Sequence, residues 1–341
     1  MAGQNGRKWV EKHLEIGAEI LYLTREEVKS IGLSDGEILS LTEEALAAHG
    51  EKRTEMPAKI GLHPLKDTLM HAMPAYLPDH SACGIKWASC FPDNRERFGL
   101  PQTSGLLVYN DPESGWPLAV MDAVWITEKR TPAVTCVAAK HLAPAEAATF
   151  GMIGCGVQGR AHVGMIERVL AGLETIYVYD VFEEAAQKLV RDLQPAVKAR
   201  IVRAGSIEEV VRSSQVVASA TAITAQLRPR IRDSWVSRGQ TILMCDMHSL
   251  YEDATMKRAD KYLVDSVEEH ELFVGYGYYP DGLPEVYAET GEVAAGLKKG
   301  RENSEELIVC NNVGMAVEDM MVAKALFDRA LSSGAGRKLP L

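Results

Sequence analysis

The sequence predicts a two-part α/β protein, a doubly wound Rossmann domain inserted into a discontinuous α+β domain. Three observations carry this. Between Thr149 and Asp180 an apolar run, a glycine-rich turn, a periodic segment and a second apolar run follow in order. Beyond Asp180, strand-like and helix-like stretches keep alternating, as in a parallel sheet. From Pro57 to Trp125, short strands are punctuated by Pro and Gly without helices between them, and an amphipathic segment at 312–330 comes too late for the parallel sheet. The expected division gives residues 1–130 and 305–341 to the α+β domain and 131–304 to the insert.

In the first part, residues 20–23 read as a strand. Thr24 with Glu27, and Ser34 with Glu37, have the spacing of capping boxes, the second opening a helix to Ala48. Further strands are expected at 59–63, 67–73, 82–89, 105–110 and 118–122, with a turn at 110–115. A helix is expected from Thr131 to Leu142. In the insert, strands are expected at 149–153, 175–179, 199–203, 215–220, 241–245 and 262–264, with helices at 161–170, 185–193 and from Ser206. A Tyr/Gly/Pro-rich loop follows Gly275.

The chain has 341 residues, 46% hydrophobic and 25% charged, with a net charge of -10. That balance is ordinary for a globular protein with a sizeable core. It argues against non-specific nucleic-acid binding and offers no basic face to anionic lipid. Cysteines 83, 90, 136, 155, 245 and 310 include no C-x-x-C pair, which reads as a reduced set with no metal site. The polar start gives no signal peptide and no apolar run is long enough for a bilayer, so a cytoplasmic protein is expected.

The segment Gly154-Cys155-Gly156-Val157-Gln158-Gly159 matches G-x-G-x-x-G. Gly154 permits the sharp turn, Gly156 admits a pyrophosphate to the backbone, and Gly159 lets the helix lie close on the strand. The helix N-terminus offers unpaired N–H groups to the phosphates. Asp180, about 20 residues further on, stands where a carboxylate accepts adenosine ribose hydroxyls. It would also repel a 2′-phosphate, and Val181 to Glu184 include no arginine, so the expected cofactor is NAD.

Outside that motif, Lys59 and Lys86 stand mid-strand in apolar company, where charge is costly unless paired. Arg130 is expected at the start of the Thr131 helix. Asp246 directly follows a strand, at the edge where open α/β sheets bind ligands. Each has a bland alternative: a snorkelling strand lysine or one paired with Glu318 or Asp319, an ion-paired arginine, an Asx turn. His63, His71 and His248 show no recurring ligand spacing and read as structural more readily than as acid–base groups.

The chain resembles the ornithine cyclodeaminase/μ-crystallin family over nearly its whole length. The residues that carry this are Met56-Pro57-Ala58-Lys59, Met73-Pro74-Ala75, Gly84-Ile85-Lys86-Trp87 and Ile126-Thr127-Glu128-Lys129-Arg130-Thr131. With them go the glycine motif, Asp246, and Asn312-Val313-Gly314-Met315-Ala316-Val317-Glu318-Asp319. The resemblance implies a homodimer formed through the N-terminal domain, with an amino acid or imine as substrate. It implies that Arg130, helped by Lys59, clamps the substrate α-carboxylate beside Met73, and that Lys86 is the catalytic lysine. Asp246 would hold a distal amine or act on the attacking water or amine. Thr103, Thr131, Thr221 and Asn312 would line the cofactor with Gly154, Gly156, Val157, Gln158, Gly159 and Asp180.

Two departures bear on substrate. Lys59 replaces the arginine of similar cyclodeaminases and cannot make its bidentate fork. Met247-His248-Ser249-Leu250 replaces Cys/Ala-Pro-Gly-Lys after the aspartate. The leading expectation is an NAD-bound cyclodeaminase converting L-ornithine to L-proline and ammonia. The alternatives are an amino-acid dehydrogenase or ketimine reductase without ring closure, and a non-catalytic NAD(P)H-dependent binder of the μ-crystallin kind. The presence of Lys86, Arg130 and Asp246 together weighs against the last.

Overall fold

The computed structural model describes residues 4–223, 229–247 and 249–341. His248 lies outside them. The chain divides into two compact units, residues 1–130 with 315–341, and residues 131–314.

The first unit is built on a mixed sheet of β1 (Glu19–Leu23), β2 (Ile60–Leu62), β3 (Leu69–Leu77), β4 (Ala82–Cys90), β5 (Thr103–Asn110), β6 (Pro117–Asp122) and the C-terminal strand Arg337–Pro340. From that last strand the order is β1, β6, β5, β4, β3, β2. Only the β1–β6 pair is parallel. Both capping boxes form, at Thr24 before the helix Arg25–Ile31 and at Ser34 before Asp35–Gly50. Strand β3 runs past its expected end at Met73 although Pro74 cannot donate to a ladder. The β2 pairing stops at Ile60 opposite Ala72, and the next bridge on that side is Glu55 to Tyr76, so Pro74 stands where no donor is needed.

Register sorts the two faces of this sheet. Met73, Lys86, Leu107, Met121 and Leu23 form one cross-strand row, and every member is buried. The helix Ala316–Ser333 packs on β3, β4 and β5. At Gly84 it comes so close that a Cβ would stand 3.1 Å from the Met320 sulfur. On the opposite face, Ile60, Ala72, Trp87 and Leu106 form a row, and Pro74, Ile85, Val108 and Val120 the next. Ile60 is 70% exposed, Leu106 49% and Trp87 37%.

The second unit holds a wholly parallel sheet of β7 (Thr149–Ile153), β8 (Thr175–Tyr179), β9 (Arg200–Arg203), β10 (Val216–Ser219), β11 (Thr241–Met244), β12 (Lys261–Val264), β13 (Ala288–Glu289) and β14 (Ile308–Asn311). Its order is β13, β12, β14, β11, β10, β7, β8, β9. The run from β14 to β9 is the doubly wound arrangement, with the order reversing beside β7. Strand β14 corrects the expected boundary at 305. Its four buried residues lie between β11 and β12, so the chain leaves this sheet only after Gly314. A four-residue apolar run after a polar loop gives little periodicity to read.

Three helix boundaries also move. The helix expected from Thr131 spans Val124–Leu142, with Pro132 inside it; proline favours a helix start, which hid the earlier turns. The helix after the glycine turn is Val157–Met165, beginning directly at the turn, and continues as a short 3-10 segment to Arg168. The last long helix begins at Ala316, leaving Asn312 at the end of β14.

Candidate functional site

In the first unit, four expected residues converge. Strand β4 turns Lys86 inward, β3 sets Met73 opposite it, and Lys59 arrives just before β2, not mid-strand as expected. Arg130 comes from within the Val124 helix rather than from its start. The counter-ions of Lys86 and Arg130 are Glu318 and Asp319, in the first turn of the Ala316 helix. Lys86 Nζ stands 2.5 Å from Asp319 and 3.5 Å from the Thr127 hydroxyl. Arg130 donates through Nε to Asp319 at 3.2 Å and through Nη1 to Glu318 at 3.0 Å. All five charged side chains are buried, Glu318 and Asp319 completely.

The electrostatics of this cluster are unequal. Burial pulls the Lys86 ammonium down to about 8; Asp319 opposes the shift, and Arg130 and Lys59 add to it. His71, inward on β3 and adjacent to His63, is pushed down to about 3 by burial and then by Lys59, which leaves it neutral. Lys59, Lys86 and Arg130 thus gather as three buried cations with the buried carboxylates Glu318 and Asp319, a set that suits an anionic group on a substrate. Thr103 lies at the far end of the β4–β5 pair, opposite Cys90, and is not part of this cluster.

In the second unit the expected cofactor residues share the carboxyl edge of the parallel sheet. Gly154 has φ 96° and its Cβ would stand 2.5 Å from the Ala220 carbonyl, so the turn needs glycine. A Cβ at Gly156 would meet nothing within 4 Å: this is open backbone at the start of a helix whose first N–H groups point outward. Asp180 accepts the amides of Cys155 at 2.7 Å and Phe182 at 2.9 Å, tying the second strand to the glycine turn. These residues fit a dinucleotide pyrophosphate and ribose.

Asp246, fully buried, follows β11 and accepts from Ser219 Oγ at 2.7 Å and from the Thr221 hydroxyl and amide at 2.8 and 3.1 Å. Burial raises its pKa, against those hydrogen bonds. Asn312 accepts from Thr290 Oγ1 at 2.8 Å, and its own amide donates to Met244. Thr131 is half-buried on the Val124 helix. Val157 and Gln158 open the helix after the turn.

Sequence reading did not reach Ser219 or the buried pair Thr135 and His162. Hydroxyls at 219 and 221, two apart at a strand end, were the available signal for the first. For the second the spacing carries none, because Thr135, His162 and Cys245 meet only through the fold. Among the described residues no group of three or more metal-ligating side chains gathers, and no helix is long and apolar enough to cross a membrane.

The alanine dehydrogenase of Archaeoglobus fulgidus is 36% identical over 94% of this chain and 98% of its own. An archaeal alanine dehydrogenase dimer solved with bound NAD superposes with a TM-score of 0.81 at 34% identity, covering 94% of this chain and 99% of that one. The Thermococcus litoralis Δ1-pyrroline-2-carboxylate reductase, solved with NADH and L-proline, gives 0.82 at 28% identity, over 93% and 99%. The profile of the ornithine cyclodeaminase/mu-crystallin family matches residues 19–334, and the chain belongs to that family.

Proposed function

We propose that this protein is an NAD-dependent enzyme that oxidises or forms the Cα–N bond of a small L-amino acid through its imine. One observation carries the reading: Lys86 and Arg130 are held together, buried, by Asp319 and Glu318, and burial brings the Lys86 ammonium down to about 8. Arg130, oriented by Glu318 and Asp319, binds the substrate α-carboxylate with Lys59. Lys86, linked to Asp319, exchanges a proton with the amino or imino nitrogen. Gly154, Gly156, Val157, Gln158 and Gly159 hold the NAD pyrophosphate, Asp180 the adenosine ribose, and Thr131, Thr221 and Asn312 the remainder. Bound NAD supplies the hydride acceptor. The Asp180 carboxylate and the absence of arginine from Val181 to Glu184 favour NAD over NADP, and six free thiols favour the cytoplasm.

Whether the imine is released, reduced or closed into a ring depends on the distal end of the substrate. L-Ornithine needs a carboxylate for its distal ammonium. Asp246, the candidate in the second unit, already accepts three hydrogen bonds, and Glu318 and Asp319 already bind cations. This favours dehydrogenase or ketimine-reductase chemistry. Conversion of L-ornithine to L-proline is the second reading, resting on Asp246 at the carboxyl edge. Incubation with NAD⁺ and a panel of L-amino acids separates them. Net NADH supports the first, proline without NADH the second, and no turnover of either kind removes both.

A second copy of the chain is the fitting cover for the exposed rows of the first unit. Ile60, Trp87 and Leu106 are exposed beside the half-buried Ile85 and Val108 on one apolar face of the sheet, the kind of patch that marks an interaction surface. Trp87→Glu with Leu106→Lys is expected to convert a dimer to a monomer in light scattering. A wild-type monomer ends this part of the reading.

A further inference from the structure

We propose that His162 is a positioning residue of the dinucleotide site, acting through the first turn of the phosphate-binding helix without touching the cofactor. The inference concerns how the second unit prepares itself for NAD, and it rests on the cofactor reading but not on any choice of substrate.

His162 is 1% exposed and stands on the Val157 helix, one turn beyond Gln158. Its Nδ1 lies 2.7 Å from the Gln158 carbonyl. A carbonyl only accepts, so Nδ1 carries the proton and Nε2 of the neutral ring is an acceptor. Burial holds the ring neutral, with its pKa down to about 4. Thr135, itself 1% exposed, lies 2.8 Å from Nε2 and must donate to it. The Thr135 oxygen then accepts from the Cys245 thiol at 3.2 Å, which is also 3.5 Å from Nε2.

The chain of donors therefore has one direction, from Cys245 through Thr135 to Nε2, and from Nδ1 to Gln158. It joins three elements: the Val124 helix, the end of β11, and the turn whose amides face the pyrophosphate. The Val157 helix has no side-chain hydrogen bond at its cap, Gly156. A short helix without a side-chain cap frays at its first turn. His162 ties that turn to neighbouring elements from the buried side, leaving the outward N–H groups for phosphate. Preorganisation of this kind raises affinity by lowering the ordering cost of binding.

The test measures Kd for NADH and for adenosine, with thermal unfolding alongside, in His162→Leu, Thr135→Val and Thr135→Ser. Adenosine uses the Asp180 contact and lacks phosphates. The expected result is that His162→Leu and Thr135→Val raise the NADH Kd about tenfold and leave adenosine within about twofold. Thr135→Ser, which keeps the hydroxyl, restores NADH binding. Unchanged NADH binding in both His162→Leu and Thr135→Val overturns the proposal. So does an equal loss for both ligands, the mark of a merely structural role. Should His162→Leu fail to fold, the Thr135 pair decides: Val weak and Ser restored supports positioning, and any other pattern rejects it.

Discussion

Lys86 and Lys261 are both buried lysines on strands, yet their surroundings move their proton affinity in opposite directions. At Lys86, burial outweighs its single carboxylate, Asp319, and two other cations lie near. At Lys261, burial is overcome by Glu302 at 2.8 Å and Glu306 at 3.1 Å, and the pKa rises. Lys261 also donates to the Gly300 carbonyl at 2.6 Å. Its neighbour Arg301 binds the carbonyls of Leu142, Asn303, Glu306 and Gln240 and the Thr241 hydroxyl. The second cluster anchors to backbone at the amino edge of the parallel sheet, and its charges are matched. The first anchors Lys86 and Arg130 to one helix turn, and there burial outweighs the carboxylate at Lys86. A buried lysine whose carboxylates outweigh its burial staples a fold; one whose burial wins is a candidate for chemistry.

The sharpest way to break this contrast is Arg130→Lys. Lysine keeps the charge but loses the planar fork. The expected loss in kcat/KM is about 2–4 kcal/mol, beyond whatever stability is lost with its bonds to Glu318 and Asp319. A substrate complex with its carboxylate far from Arg130 would sink the assignment. Lys86→Met comes next. It keeps most of the stem, and the expected product is a folded protein that binds NADH with turnover reduced ~100-fold. Normal turnover would return Lys86 to the class of Lys261.

Arg301→Met should show the reverse pattern. Urea unfolding is expected to lose about 1–3 kcal/mol, because several carbonyls lose their donor, while kcat changes little. A collapse of kcat at unchanged stability would erase the distinction between the clusters. The smallest effect concerns pH. His71 titrates near 3 when folded against 6.5 unperturbed, so its contribution to stability is full above pH 6.5 and is lost as pH falls towards 3. From pH 7 to 5 this amounts to about 1–2 kcal/mol. His71→Gln should be correspondingly less sensitive to acid, and equal sensitivity would mean that the imidazole is not held neutral.

Much of this architecture is legible in the sequence. The glycine turn and Asp180 stood in fixed order along one local stretch, so period and punctuation sufficed. Lys59 and Lys86 betrayed themselves as charges in apolar runs, and both are buried. Their partners were harder. Glu318 and Asp319 open a helix, where acids are common for reasons of dipole alone; the sequence offers them only as the bland pairing for Lys86, and the structure shows Asp319 in that place and both acids on Arg130. Strand β14 escaped because a central parallel strand of four residues has no alternation to read. His162 escaped because its meaning lies in Thr135 and Cys245, each far away in sequence.

Pro132 has a consequence for dissecting the protein. Within Val124–Leu142 it removes the bond that residue 132 would make to the Glu128 carbonyl, so the helix is weakest where the two units divide. In a polypeptide starting at Thr131 that defect becomes an asset. Threonine would stand as N-cap with proline at the first helical position, the arrangement helix starts prefer. At the other limit, Gly314 has φ 86°, a conformation glycine adopts without strain. Residues 131–314 thus carry their own punctuation at both ends, which recommends them as a cassette for grafting a dinucleotide-binding unit onto another scaffold.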